Sequence, residues 1–510
     1  MSRRPLWILT VLWGLAFCAN ASRADELPLE QRPWLAVRTA HFNLYSCGGR
    51  PEVYKLAGRL EQFCKAYSQL AGAPAVASPP IIVLAFPNHE SLKPFLPLYH
   101  GKAGNLAAFF KRGADENLIV LSLPEPDTPA TDMEIIFHEY THLLFRRNDQ
   151  FWPLWLKEGM AEIYSTFQTA GQTAHIAGPI PYHLQTLQHS GLMPLAELFS
   201  VNHDSPQYNE AERQGVFYAE SWLLTHFLMT GNHGQYRARF GQFTAWLRQG
   251  QLPVPAFTNA MQATLPVVEA ELRRYLARGN FAPIDLALAA DISAPINLTT
   301  RYLTPVEIYF RLGDELLRAD QPDAAEVRFL KAQKLAPASP LPDEGLGLLA
   351  HQRDDHAAAL HHLQAAIQLG STSYLAYYLC ALEEFKATAD AEERYPRIKK
   401  IPAAEIRSHL IQSMSLEPNF GPPQQLYGVF EMVQGEPLAD AGQHLQRALQ
   451  LEPENPSYLM SLAQYQWLTR NPAAARQTLE PLLRPNADAK FRADAEKLIQ
   501  EIDHHKPANP

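Results

Sequence analysis

His138-Glu139-Tyr140-Thr141-His142 and, fifteen residues later, Glu158-Gly159-Met160-Ala161-Glu162 decide how this chain is read. Residues four apart share one face of a helix, so His138 and His142 can reach one metal ion while Glu139 stands beside them to handle a proton. With 19 His and no more than 53 Glu in 510 positions, about 0.07 or fewer such matches are expected by chance. Thr131 with Glu134 forms a capping box that starts this helix, which is expected to run to about Arg147 and stop at Asn148-Asp149. A catalytic zinc normally takes three protein ligands and keeps a fourth position open, so two histidines are not enough. Glu158, on a second helical stretch opened by Trp152-Pro153, is the candidate third ligand. Glu162 lies one turn further on the same face, placed to accept a hydrogen bond from the remote N–H of a ligand imidazole.

His-Glu-x-x-His followed by Glu-Gly-x-Ala-Glu resembles the gluzincin zinc peptidases, and more closely the bacterial peptidase-MA-like proteins. The resemblance covers about 35–280, and its specific part is 131–222. It implies an α+β zincin-type metallopeptidase domain, a small mixed sheet with a helical subdomain, and Zn2+ as cofactor. It further implies His138, His142 and Glu158 as metal ligands and Glu139 as the catalytic base. The gap between the two motifs is a little shorter than in the best-known members, so the loop at 147–152 must be tight. Tyr218-Ala219-Glu220-Ser221-Trp222-Leu223-Leu224 resembles the segment in aminopeptidase relatives where a tyrosine hydroxyl points at the zinc. Tyr218 is then a catalytic oxyanion donor, or else an ordinary core aromatic beside Phe217 and Trp222. Nothing in 100–130 matches the Gly-x-Met-Glu-Asn motif of aminopeptidases, which tilts the reading towards an endopeptidase. Asn117 to Leu123 is a candidate edge strand for an extended substrate. His203, His226 and His233 read as structural.

Working outward, residues 35–45 alternate as a strand does, Pro51 to Leu70 has helical spacing, and 81–86 and 118–123 read as buried strands. From 152 to about 280 the pattern is helical, and 282–303 reads as a linker. Beyond it Leu335, Leu369, Leu416 and Leu451 each close an amphipathic helix, at offsets of 34, 47 and 35 residues. Two of these match the helix-turn-helix repeat period, and the third implies an insertion around 384–404. The stretch 304–503 therefore resembles the tetratricopeptide repeats as four or five units of an all-α solenoid, followed by a tail at 504–510. Residues 25–130 are expected to form an upper α/β subdomain, and 131–281 the zinc-site helices with a helical lower subdomain.

The first 24 residues read as an export signal, basic at Arg3 and Arg4 and apolar from Leu6 to Ala21, which places the protein in the periplasm or outside the cell. Their removal would take the formal charge from −9 to −12. An acidic balance and the lack of a basic tract argue against nucleic acid as a partner, and no other segment is apolar enough to stay in a membrane. Cys47 and Cys64 are the only sequence-near cysteine pair and are read as thiols, with a disulfide the alternative. Two functions compete. One is an exported zinc metallopeptidase whose repeats bind substrate or a protein partner. The other is a repeat-based adaptor or assembly protein of the cell envelope whose zinc domain is structural or vestigial. A third reading keeps the zinc and replaces the peptide bond with another electrophile.

Overall fold

The computed structural model describes residues 27–75, 81–99, 102–103, 106, 108–113, 115–123, 131–145, 152–209, 211–288, 298–388, 400–434, 438–484 and 488–504. The proposed signal, the Thr131 cap, the loop at 147–151, most of the insert and the tail beyond His504 lie outside the described residues or side chains.

The alternation at 35–45 is a hairpin rather than one strand. Thr39 turns the chain between β1 (Leu35–Arg38) and β2 (Phe42–Ser46), its hydroxyl accepting from the Phe42 amide at 3.0 Å. Helix α1 (Arg50–Ala71) follows, with Pro near its first turn and left-handed Gly72 at its end. Its Val53, Leu56, Leu60, Phe63 and Tyr67 form one buried stripe, as the spacing requires. Next come β3 (Ile81–Phe86), the one-turn helix α2 (His89–Leu92), a ribbon of β4 (Leu98–Tyr99) and β5 (Lys102–Ala103), then β6 (Ala108–Arg112) and β7 (Asn117–Ser122). With a late strand, β11 (Thr299–Tyr302), they form a six-stranded mixed sheet in the order β11-β1-β2-β3-β7-β6. The expected edge strand at 117–123 is therefore interior. The edge is β6, antiparallel to β7, a strand that the sequence pattern did not reveal.

Side-chain alternation gives this sheet two buried faces. Ile81, Val83, Ala85, Ile119 and Leu121 point into a large core shared with α1, α3 (Thr131–Phe145) and α4 (Leu154–Ser165). That core continues without a break into the helices up to residue 278, so the expected upper and lower subdomains are one packed body. The stretch after α4 is not wholly helical. β8 (Gln168–Ala170) and β9 (Thr173–Ile176) form a hairpin before α5 (Pro181–Ser190), α6 (Leu195–Ser200), α7 (Pro206–Asn209) and α8 (Ala211–Gly234). The helical backbone of α8 ends before Gly231. Helices α9 (Arg237–Arg248), α10 (Pro253–Met261) and α11 (Leu265–Arg278) complete the body. The expected linker at 282–303 carries two strands. β10 (Ile284–Ala287) pairs with β9 and β11 pairs with β1.

The opposite face of the sheet packs against the repeats. Ile82, Leu84, Phe86, Leu118 and Val120 share a core with Ile308, Leu312, Leu316 and Phe329. The helices there are α12 (Pro305–Arg318) and α13 (Pro322–Leu335). They are followed by α14 (Leu341–Gln352), α15 (His356–Gln368), α16 (Tyr374–Lys386), α17 (Lys400–Leu416), α18 (Gly421–Gln434), α19 (Leu438–Leu451), α20 (Pro456–Leu468), α21 (Pro472–Leu479) and α22 (Ala489–His504). Among the described residues these make five antiparallel pairs and a final helix, a TPR-like solenoid. The four marker leucines each fall at the end of a pair's second helix. The packing rule is also legible: Gly313, Gly347, Ala381, Gly428 and Ala463 recur on the first helices. Phe329, Leu363, Leu410, Leu445 and Leu479 recur, fully buried, on the second. A Cβ on Gly313 would lie 2.6 Å from the Phe329 ring, and one on Gly428 2.5 Å from Leu445, so small residues let the paired helices touch. Cys64 packs in the first core and Cys47 against the second, on the other side of the sheet. No described helix is long and apolar enough to cross a membrane.

Candidate metal centre

Helix α3 carries His138 and His142 on one face, and α4 brings Glu158 up to them. The His138 and His142 Nε2 atoms are 3.2 Å apart, and Glu158 Oε2 lies 3.4 Å from the first and 3.3 Å from the second. A tetrahedral ion with ligands at about 2.0–2.1 Å separates any two of them by about 3.3–3.4 Å. The triangle thus has the edges that zinc needs. Glu158 Oε2 is buried and faces both imidazole Nε2 atoms. His41, Glu61 and Cys64 also lie close together, as do Cys380, Glu384 and His409. In those groups the polar atoms are already engaged, His41 Nδ1 with Glu61 at 2.7 Å and His409 Nδ1 with Glu384 at 3.0 Å.

The electrostatics ask for positive charge. Burial works against a proton on His138, yet Glu158 and Glu162 outweigh it and hold the imidazolium up to about 10. Burial likewise opposes ionisation of Glu158, but His138 and His142 bring it down to about 2. Two carboxylates converging on two imidazoles fit a divalent cation, whose charge would replace that proton.

Glu162 has its Oε1 3.4 Å from His138 Nδ1, on the edge of the ring opposite Nε2. Its other oxygen is 3.1 Å from His183 Nε2, a fully buried histidine on α5 that sequence reasoning did not pick out. The only sequence signal was Pro181 opening a helix, which says nothing about where that helix docks. Burial pushes Glu162 up, but His138 and His183 outweigh it and hold it down to about 2. Tyr218 on α8 sits beside the site, its ring 6.2 Å from that of His138 and stacked on Tyr208. Burial, then the charge of Glu158, pushes its phenol far above the usual range, so the hydroxyl keeps its proton. Glu139 is half-buried, one position beyond His138 on the same helix. His226 is structural as expected, held by the Ala177 carbonyl at 2.9 Å and the Tyr275 hydroxyl at 2.8 Å.

Gly159 is fixed by packing. A Cβ there would lie 2.1 Å from Thr225 Oγ1 and 2.4 Å from the Ser221 carbonyl oxygen, so only glycine lets α4 approach α8 this closely. Gly159→Ala should cost about 1–3 kcal/mol and swing Glu158 off the histidines. A thermal melt with a zinc titration checks both.

Buried Glu220 accepts the Met193 amide at 2.8 Å, while its second oxygen has no hydrogen-bond partner. Burial raises its carboxyl to about 8. The folded state therefore binds this proton where the unfolded chain has released it, and stability falls as pH rises from the ordinary carboxylate range to about 8. The slope is up to about 1.4 kcal/mol per pH unit. Glu220→Gln should flatten that decline, measured by denaturant melts from pH 5 to 8.

No family model matches the chain, and no curated protein matches it. Solved structures similar to it are TPR proteins. A thermophilic TPR protein from Thermus thermophilus is 20% identical, covers 38% of this chain and 99% of its own, and has a TM-score of 0.30. YrrB, described as a TPR protein with an unusual peptide-binding site, is 15% identical over 37% of this chain and 91% of its own, with a TM-score of 0.31. PilF of Pseudomonas aeruginosa is 14% identical over 39% and 93%, also at 0.31. At such scores the likeness carries no argument of its own, and the repeat reading rests on the helix pairs themselves.

Proposed function

We propose that the chain is an exported zinc-dependent peptidase fused to a protein-binding repeat array, and that it cleaves within peptide chains. The observation that carries the reading is the triangle of His138, His142 and Glu158 with an unligating carboxylate, Glu139, next to it on the same helix. A zinc ion held there supplies Lewis-acid polarisation of a carbonyl and of water. Glu139 takes the proton of the attacking water and returns it to the leaving amine. The Tyr218 hydroxyl would donate to the oxyanion that forms on the attacked carbonyl. Glu162 holds His138 by its Nδ1 edge, and His183 holds Glu162. An extended substrate would pair along the outer side of β6, which has no strand beside it among the described residues and packs against α3. Metal analysis of purified protein, with product mapping on a peptide library, tests the reading. Stoichiometric zinc and internal cleavage support it, and protein that binds no divalent metal at the triangle ends it.

A second reading, an envelope adaptor, is favoured by the extent of the array, since stacked helix pairs present a long concave surface to protein segments. A partner retained equally by wild type and Glu139→Gln, with no cleavage product, selects it.

A further inference from the structure

Asp115 and Glu116, which lead into β7, reach the mouth of the repeat groove. The groove's inner wall is made by the first helices of successive pairs, α12, α14 and α16, which touch one another along the array. Arg318 on α12 donates to both carboxylate oxygens of Asp115, at 3.1 and 2.5 Å, and lies 3.6 Å from Glu116. Arg311, two turns back, is 3.7 Å from Glu116 and has its guanidinium stacked 4.7 Å from the Tyr45 ring. The Tyr374 hydroxyl on α16 donates to the backbone carbonyl of Asp115 at 2.6 Å, and Lys111 Nζ donates to the Arg318 carbonyl. The turn is thus held as a ligand would be, by its side chains and its main chain at once. Gly113 makes it possible, because a Cβ there would meet the Glu116 carbonyl oxygen at 2.4 Å.

Apart from the turn, the wall brings two guanidinium groups, Arg311 and Arg318, to the contact. Asp314 pairs with Arg318 at 3.2 Å on the same helix and lies 3.9 Å from Arg311, which offsets one of the two guanidinium charges. Burial pushes the neighbouring Glu315 and Glu344, and Glu116 of the turn itself, towards their neutral forms, and Glu344 is hydrogen-bonded by the Ser371 hydroxyl at 2.6 Å. The turn does not fill the space. Beside it a cavity of about 270 Å³ is lined by Arg311, Arg318, Glu344, Ser373 and Tyr374. The four charged side chains of the contact keep 15–23% of their surface exposed.

We infer that the groove mouth is a binding site for an extended acidic peptide segment bearing two neighbouring carboxylates, and that Asp115-Glu116 occupies it in cis as a built-in competitor. The occupant is chosen by the contacts already made: two guanidinium groups for two carboxylates, and a phenol for one backbone carbonyl. A tethered competitor acts at high effective concentration, so a free segment gains access only when the turn lets go. The site stands whether or not the metal centre hydrolyses peptides.

The probe is a fluorescein-labelled peptide with the chain's own 111–118 sequence, Lys-Arg-Gly-Ala-Asp-Glu-Asn-Leu, read by anisotropy on the full chain. Asp115→Asn with Glu116→Gln in the protein is expected to raise its affinity at least about tenfold over wild type, because the cis occupant is disabled. Tyr374→Phe added to that double variant removes the phenol that would bind the peptide's own backbone carbonyl and is expected to lower the gained affinity. A peptide with Asn and Gln in place of its two acids should not bind, and Arg311→Gln should remove the gain. Equal affinity for the acidic and neutral peptides, or no gain in Asp115→Asn/Glu116→Gln, overturns the proposal and leaves the turn as a structural anchor.

Discussion

Glu139→Gln is expected to bind zinc as wild type does and to hydrolyse peptide about 10²–10⁴-fold more slowly. Glutamine keeps the volume and the hydrogen-bonding shape of the side chain but cannot take up the proton of an attacking water. Glu139 is not one of the three groups whose donor atoms converge, so its loss leaves the triangle of His138, His142 and Glu158 intact. The measurement is a pair: zinc content by elemental analysis, and the initial rate on a peptide found by product mapping. Full activity in Glu139→Gln would falsify the assignment of Glu139 as base. A fall in both zinc and rate would instead make Glu139 part of the metal's support.

Glu158→Ala is expected to do the opposite, removing tight zinc binding itself. Two imidazoles remain, and a two-ligand site has lost both the geometry and the negative charge that draw in a divalent ion. The drop should exceed the about 10–100-fold expected of Glu162→Ala, which only loosens His138. Competition with a zinc chelator ranks the three proteins. The order wild type, Glu162→Ala, Glu158→Ala is the expected one, and a Glu158→Ala variant that equals wild type would remove Glu158 from the ligand set.

The residues behind these outcomes were not equally legible in the sequence. His138 and His142 were, because the helix repeat puts residues four apart on one face, whatever the rest of the chain does. Glu158 and Glu162 came from a second helix with the same internal spacing and from a family resemblance. His183 was not legible, because nothing near it in sequence records that α5 docks its first turn against Glu162. The edge strand was misplaced for a similar reason. Leu118 to Leu123 reads as a buried strand in any position, and only the pairing of β6 on one side and β3 on the other shows that it is interior. The stretch at 282–303 read as a linker because four-residue strands leave almost no periodicity, yet β10 and β11 each complete a sheet begun far upstream.

By itself the sequence determined the elements whose signal is local and periodic: the faces of α3 and α4, the chemistry of their side chains, and the spacing of the helix pairs. These depend on backbone geometry over a few turns, which the chain carries wherever it folds. The tertiary structure alone decided which faces meet. It set the edges of the triangle formed by His138, His142 and Glu158, the close approach that requires Gly159, the docking of the first repeat on the back of the sheet, and the contact of Asp115-Glu116 with the repeats. Each of these is a contact between segments far apart in sequence, fixed by packing and charge pairing between elements, and no short-range pattern encodes it.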